Sequence, residues 1–159
     1  MATWMVVDDE PDIYELLLAM FEFWGIDGVA FVDGSEAIAW IEDVDAMRIQ
    51  TDLPPMAIID IRLPDVSGIE VAARLRQSPI LGNIGICLIT AYHISPAEED
   101  EAMAISQADM LLYKPLPHPD EFKRLLEGIL ERRAALAEVG ADEAAEMPPA
   151  QPADSASPL

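Results

Sequence analysis

The chain has 159 residues, 52% of them hydrophobic, and carries 30 acidic side chains against 9 basic ones for a formal charge of −21. Such a balance argues against a direct grip on nucleic acid or an anionic membrane, both of which need clustered Lys and Arg to neutralise phosphates, and a single cysteine, Cys87, excludes an intrachain disulfide or a multi-cysteine metal cage. At about 150 residues a chain buries roughly 68–70% of the surface its unfolded form exposes, so one domain with its own core is expected without a covalent or metal staple.

The chain opens on Met1-Ala2-Thr3-Trp4, with no basic start and no long apolar run. No stretch approaches the ~20 apolar residues that span a bilayer, so the expected location is cytoplasmic. Trp4-Met5-Val6-Val7 is the first strand candidate. Ile13, Leu16, Leu17, Met20, Phe21 and Trp24 then follow the i, i+3, i+4, i+7 rule of an amphipathic helix, with Gly25 placed to end it. Gly28 to Val32 forms a second strand and Ser35 to Val44 a second helix, followed by a connection from Asp43 to Pro55. Met56 to Ile59 is the third strand and Gly68 to Gln77 the third helix. Ile84 to Thr90 is the fourth strand, and Pro96 to Ser106 the fourth helix, with a capping box from Ser95 and Glu98. Met110 to Tyr113 is the fifth strand.

The last helix is expected from Pro119 to about Ala137, with Asp120 and Glu121 at its start and Arg132 and Arg133 near its end to complement the dipole. From Gly140 to Leu159 there are four prolines, four acids, no base and no aromatic residue, a composition that suits a disordered tail. Residues 1–139 are therefore read as the domain, and they alone keep a charge of −17. Several strands are continuously rather than alternately apolar, as strands covered on both faces require. Five strands alternating with five helices make an α/β fold, a doubly wound parallel sheet with helices on both faces and a site beyond the carboxyl ends of the strands.

At those ends stand Asp8-Asp9-Glu10, Asp60, Thr90 and Lys114-Pro115. Three carboxylates about 5 Å apart, at an effective dielectric of about 20, repel by roughly 3 kcal/mol per pair, so the cluster must take up protons or hold a cation. Magnesium suits it, because this ion binds a few carboxylates, keeps several waters and leaves positions for phosphate oxygens. With Thr90 to hydrogen-bond a phosphoryl oxygen and the Lys114 ammonium to balance charge, the parts make an aspartyl-phosphate site.

Asp8-Asp9, Asp60-Ile61-Arg62-Leu63-Pro64-Asp65-Val66-Ser67-Gly68, Thr90-Ala91 and Lys114-Pro115 resemble, in order and spacing, the receiver domain of bacterial two-component response regulators. The resemblance covers residues 1 to about 137 and implies a flavodoxin-like sheet in the order 2-1-3-4-5. It implies that Asp60 accepts a phosphoryl group from a histidine kinase or a histidine phosphotransfer protein. Asp8, Asp9, Asp60 and the backbone carbonyl of Arg62 would hold Mg2+, Thr90 would move towards the phosphoryl group, and Lys114 would pair with it across a cis Lys114-Pro115 bond. Output would pass to a downstream protein through the face of strand five and the last two helices, a face also open to homodimerisation.

Two features depart from the family. Leu111 stands three positions before the lysine where an aromatic is usual, the aromatic here being Tyr113, and Gln107 replaces a common glycine. Arg62 and Tyr92 occupy the positions that flank the phosphoryl group in relatives. An interaction module that works without phosphorylation is the alternative reading. A haloacid-dehalogenase-like phosphatase is disfavoured, because Arg62 stands where it needs a second acid. Taken singly, Asp9 reads as a helix cap, Cys87 as a small core residue, His93 and His118 as surface, and the acidic run Glu98 to Glu101 as a solvated helix start.

Overall fold

The computed structural model describes residues 2–50 and 52–146. In chain order it contains β1 (Thr3–Val7), α1 (Pro11–Phe23), β2 (Asp27–Phe31), α2 (Gly34–Asp45), β3 (Met56–Asp60), α3 (Gly68–Gln77), β4 (Gly85–Thr90), α4 (Pro96–Ser106), β5 (Met110–Tyr113) and α5 (Pro119–Glu146). The strands form one parallel sheet in the order β2-β1-β3-β4-β5. This is the doubly wound, flavodoxin-like α/β fold expected from the sequence.

The central strands bury every residue, which is why they are apolar without alternation. Their side chains nonetheless sort by twos. Met5, Val7, Ala57, Ile59, Ile86 and Leu88 pack with Ile41, Val71 and Leu75 of α2 and α3. Val6, Ile58, Cys87 and Ile89 pack with Phe21, Phe122 and Ile129 of α1 and α5. Trp4 meets Phe21 edge-on at 5.4 Å and both are core, as is Cys87, whose thiol burial pushes up to about 12.

Caps follow local chemistry with one exception. The Ser95–Glu98 capping box forms, and Gly25 leaves α1 in the left-handed region at φ +76°. Gln107 ends α4 at φ +53°, a conformation that glycine adopts without the Cβ cost. Asp9 does not cap α1; Glu10 holds that position without a side-chain hydrogen bond.

Helix α5 continues to Glu146, past the expected end near Ala137 and across the boundary drawn at residue 139. Its Ala- and Glu-rich continuation has high intrinsic helix propensity, which a single glycine, costing about 1 kcal/mol, does not cancel. The remainder of the expected tail, 147–159, lies outside the described residues. Arg132 and Arg133 are consequently mid-helix rather than near its end. Arg133 instead reaches Asp109, whose carboxylate it meets at 2.8 Å while Arg76 meets it at 3.0 Å. Asp109 also accepts the backbone N–H of Ile86, so one acid ties α3, β4, β5 and α5 together at the end of the sheet away from the strand-end acids.

Candidate functional site

The parallel register places the ends of β1, β3, β4 and β5 side by side, and so gathers Asp8, Asp60, Thr90 and Lys114. Asp8 is fully buried and Asp60 is 2% exposed. Lys114 Nζ lies 3.1 Å from Asp8 Oδ2, 3.1 Å from Asp60 Oδ2 and 3.6 Å from Glu10 Oε1. Asp60 Oδ1 accepts the N–H of Arg62 at 3.1 Å, and Asp8 Oδ1 accepts that of Glu10 at 2.9 Å. Asp9 is exposed at the rim. Thr90 Oγ1 accepts the N–H of Tyr92 at 3.2 Å, and the Lys114 N–H donates to the Thr90 carbonyl at 2.8 Å. The Lys114–Pro115 peptide bond is cis.

Glycine is required where α3 starts. A Cβ on Gly68 would stand 1.9 Å from the backbone oxygen of Asp60, so only a residue without one lets the helix start pass over the end of β3.

The electrostatics reflect crowding out of water. Burial raises Asp8 to about 6, assisted by the charge of Asp60. Burial also raises Asp60, against the pull of Lys114. For Lys114 burial alone would lower the ammonium's affinity for its proton, but Asp60 and Asp8 beside it more than offset that and raise it. A single ammonium thus faces several carboxylates. Asp8, Asp9 and Asp60 each offer an oxygen, all within 4.8 Å of one another. Asp8 Oδ2 is buried without a well-formed hydrogen bond, its contact being the Lys114 ammonium at 3.1 Å, which Asp60 and Glu10 share. This donor set, all hard oxygens with one unsatisfied, fits a divalent cation.

Around the site the structure adds contacts that the sequence does not display. The guanidinium of Arg62 lies 4.1 Å from the Tyr92 ring centroid, so the two residues meet at the mouth. Asp65 reaches back to the start of α2, accepting the N–H groups of Gly34 and Ser35 at 3.0 Å each and that of Val66 at 2.7 Å. The Ser35 hydroxyl, the largest influence, together with those N–H groups holds its carboxyl at about 2. An aspartate in a turn hints at local capping, but nothing in the sequence points to partners 30 residues away. Leu111 packs in the core on the α3 and α4 side. Tyr113, two residues on and so on the same face of β5, hydrogen-bonds Glu99 of α4 through its hydroxyl, and its ring stacks on His93 at 4.8 Å.

The response regulator receiver domain, as a family, matches residues 4–127. The chain is 34% identical over 122 residues to the phosphate regulon transcriptional regulatory protein PhoB of Rhizobium meliloti, a match covering 76% of this chain and 48% of that protein. With the alkaline phosphatase synthesis transcriptional regulatory protein PhoP of Bacillus subtilis it shares 32% over 129 residues, 80% of this chain and 48% of the other. The match therefore spans about half the length of these relatives. Among solved structures, the receiver domain of Francisella response regulator 1452 superposes with a TM-score of 0.66 at 25% identity, covering 83% of this chain and 98% of that one. A CheY-like receiver domain protein of Methanospirillum hungatei gives 0.70 at 21% identity over 85% and 98%. No helix among the described residues is long and apolar enough to cross a membrane.

Proposed function

This chain belongs to the response regulator receiver family, and from that membership we propose that it is a phosphorylation-controlled switch in which Asp60 accepts a phosphoryl group from a histidine kinase or a histidine phosphotransfer protein. The observation that carries the reading is the meeting of Asp8, Asp9 and Asp60, whose oxygens lie within 4.8 Å of one another, with Lys114 beside Asp8 and Asp60 and a buried Asp8 oxygen that makes no hydrogen bond. Mg2+, held by Asp8, Asp9, Asp60 and the Arg62 carbonyl, would shield the carboxylates from one another and draw in phosphoryl oxygens.

The chain's own groups supply the rest. An Asp60 carboxylate oxygen forms the bond to phosphorus as the phosphorus–nitrogen bond of a phosphohistidine breaks, and the departing imidazole keeps the electron pair and takes up a proton. Lys114, released from part of its pairing with Asp60, meets the new phosphoryl charge. Thr90 ends β4 beside β3; its hydroxyl, donating to a phosphoryl oxygen, would pull the segment from Ala91 to Ile94 inward and alter the surface beside α4, which a downstream protein then reads.

Incubation of the full chain with Mg2+ and acetyl phosphate should add the mass of one phosphoryl group, and EDTA or Asp60→Asn should prevent it. No adduct from acetyl phosphate and none from a phosphorylated histidine phosphotransfer protein would sink the reading.

The Arg62–Tyr92 pair at the mouth is expected to restrict attacking water and so to lengthen the life of the phosphoryl group. An exposed cation–π contact is worth about 0.5–1 kcal/mol, so Arg62→Ala or Tyr92→Ala should speed its decay by about 2–5-fold. Decay followed by intact mass after removal of the donor checks this, and unchanged lifetimes in both variants would count against it.

A further inference from the structure

The sequence directs attention to the face of β5, α4 and α5 as the output surface, but an apolar opening also lies on the other flank of α4. A groove of about 300 Å3 opens where the start of α3 meets α4, lined by Ile61, Ile69, Ile94 and Ile105 with Glu98 and Glu101 on its rim. Glu98, Glu101, Ala102 and Ile105 recur at i, i+3, i+4 and i+7, so one stripe of α4 turns towards α3, while Glu99 turns towards Tyr113. Ile105 is 51% exposed on that stripe, which leaves its apolar surface open to a partner.

The rim has an uncompensated sign. Among the described residues neither Glu98 nor Glu101 pairs with a cation, and the one cation lining the groove, Arg62, is stacked on Tyr92. The outer surface of α5, by contrast, is dressed with both signs, including a Lys123–Glu127 pair. The groove also abuts the acceptor, for Ile61 and Arg62 follow Asp60 directly and the Arg62 N–H bonds its carboxylate.

We propose that the groove between α3 and α4 docks a basic amphipathic helix of the downstream partner, its apolar stripe on the isoleucines and its Lys or Arg residues on Glu98 and Glu101. Calling the occupant a downstream partner rests on the switch reading above; the groove's preference for this helix does not.

The test uses the full chain and a fluorescein-labelled 18-residue peptide of Leu and Lys, with Leu at i, i+3, i+4 and i+7 spacing and Lys elsewhere, beside a counterpart with Glu for Lys. Fluorescence anisotropy should show saturable binding of the Lys peptide alone, about tenfold weaker for Ile105→Ser and weakened by rising salt. Glu98→Gln with Glu101→Gln should weaken it comparably, since Gln preserves the capping box. Phe23→Ser, which removes an 83% exposed phenylalanine from α1, should leave it unchanged. Absence of saturable binding, indifference to Ile105→Ser, or an equal loss with Phe23→Ser would overturn the proposal. Ile105-dependent binding in a chain that gains no phosphoryl mass would remove the switch and keep the groove; a phosphoryl adduct without Ile105-dependent binding would do the reverse.

Discussion

In magnesium-free buffer at pH 7, Asp8→Asn is expected to be more stable than the native chain by about 3 kcal/mol. The folded carboxyl of Asp8 takes its proton at about 6 against an ordinary 3.8, because burial disfavours the charge. The folded state therefore binds this proton more tightly than the unfolded one. Its contribution favours folding at low pH and is lost as pH rises between about 4 and 6. By pH 7 the whole difference, at about 1.4 kcal/mol per tenfold in proton affinity, stands as a cost. Asn keeps the acceptor for the Glu10 N–H and carries no charge, and Lys114 retains Asp60 and Glu10 as partners. The gain should shrink towards zero near pH 4, where native Asp8 is already neutral when folded. Millimolar Mg2+ should stabilise the native chain, by about 2.7 kcal/mol at a hundred times Kd, and leave Asp8→Asn almost unmoved. Urea unfolding at pH 4, 5.5 and 7, with EDTA or with Mg2+, reads all of this. A variant less stable than the native chain at pH 7 in EDTA would mean that the lysine pairing outweighs burial.

Asp109→Ala is expected to cost about 3–5 kcal/mol, the usual consequence of removing one partner from a buried ion pair. The Arg76 side chain is 6% exposed and Asp109 is its only acidic partner among the described residues. Its remaining acceptors, the carbonyls of Gln107, Gly82 and Ile84, bond the guanidinium without neutralising it. Burial already lowers its proton affinity, with Arg133 adding to the effect. The Ile86 N–H would also lose its acceptor. Asp109→Asn should fall between, since it keeps an oxygen for that N–H. The urea midpoint should drop with an unchanged slope, while phosphorylation per folded molecule stays the same, because the network sits at the opposite end of the sheet from Asp60. A loss under about 1 kcal/mol would show that the carbonyls alone satisfy Arg76.

Much of the architecture was legible because it is written in neighbouring residues. The bounds of α3, α4 and β5 fall where the sequence places them, since capping residues, a proline at the first turn and short apolar runs act within a few positions. The acids, threonine and lysine at the strand ends were legible through their order. What the sequence concealed are pairings between distant segments. Asp65 looks like one more turn residue until α2 arrives to supply its N–H groups, and Asp109, Arg76 and Arg133 are three ordinary charges until the sheet closes around them. The end of α5 was misplaced for a different reason: a shortage of apolar side chains argues against packing, but an alanine-rich helix needs little packing to persist.

By itself the sequence determined the order of elements, the two-sided burial of the sheet and the set of polar and charged groups at its edge, because periodicity and capping are properties of short stretches. Only the tertiary structure decided that one ammonium must serve Asp8, Asp60 and Glu10, that Asp8 holds its proton up to about pH 6, and that an acidic-rimmed apolar groove opens beside Asp60. Charge energies depend on separation and on exclusion from water, and both arise only when segments from opposite ends of the chain meet.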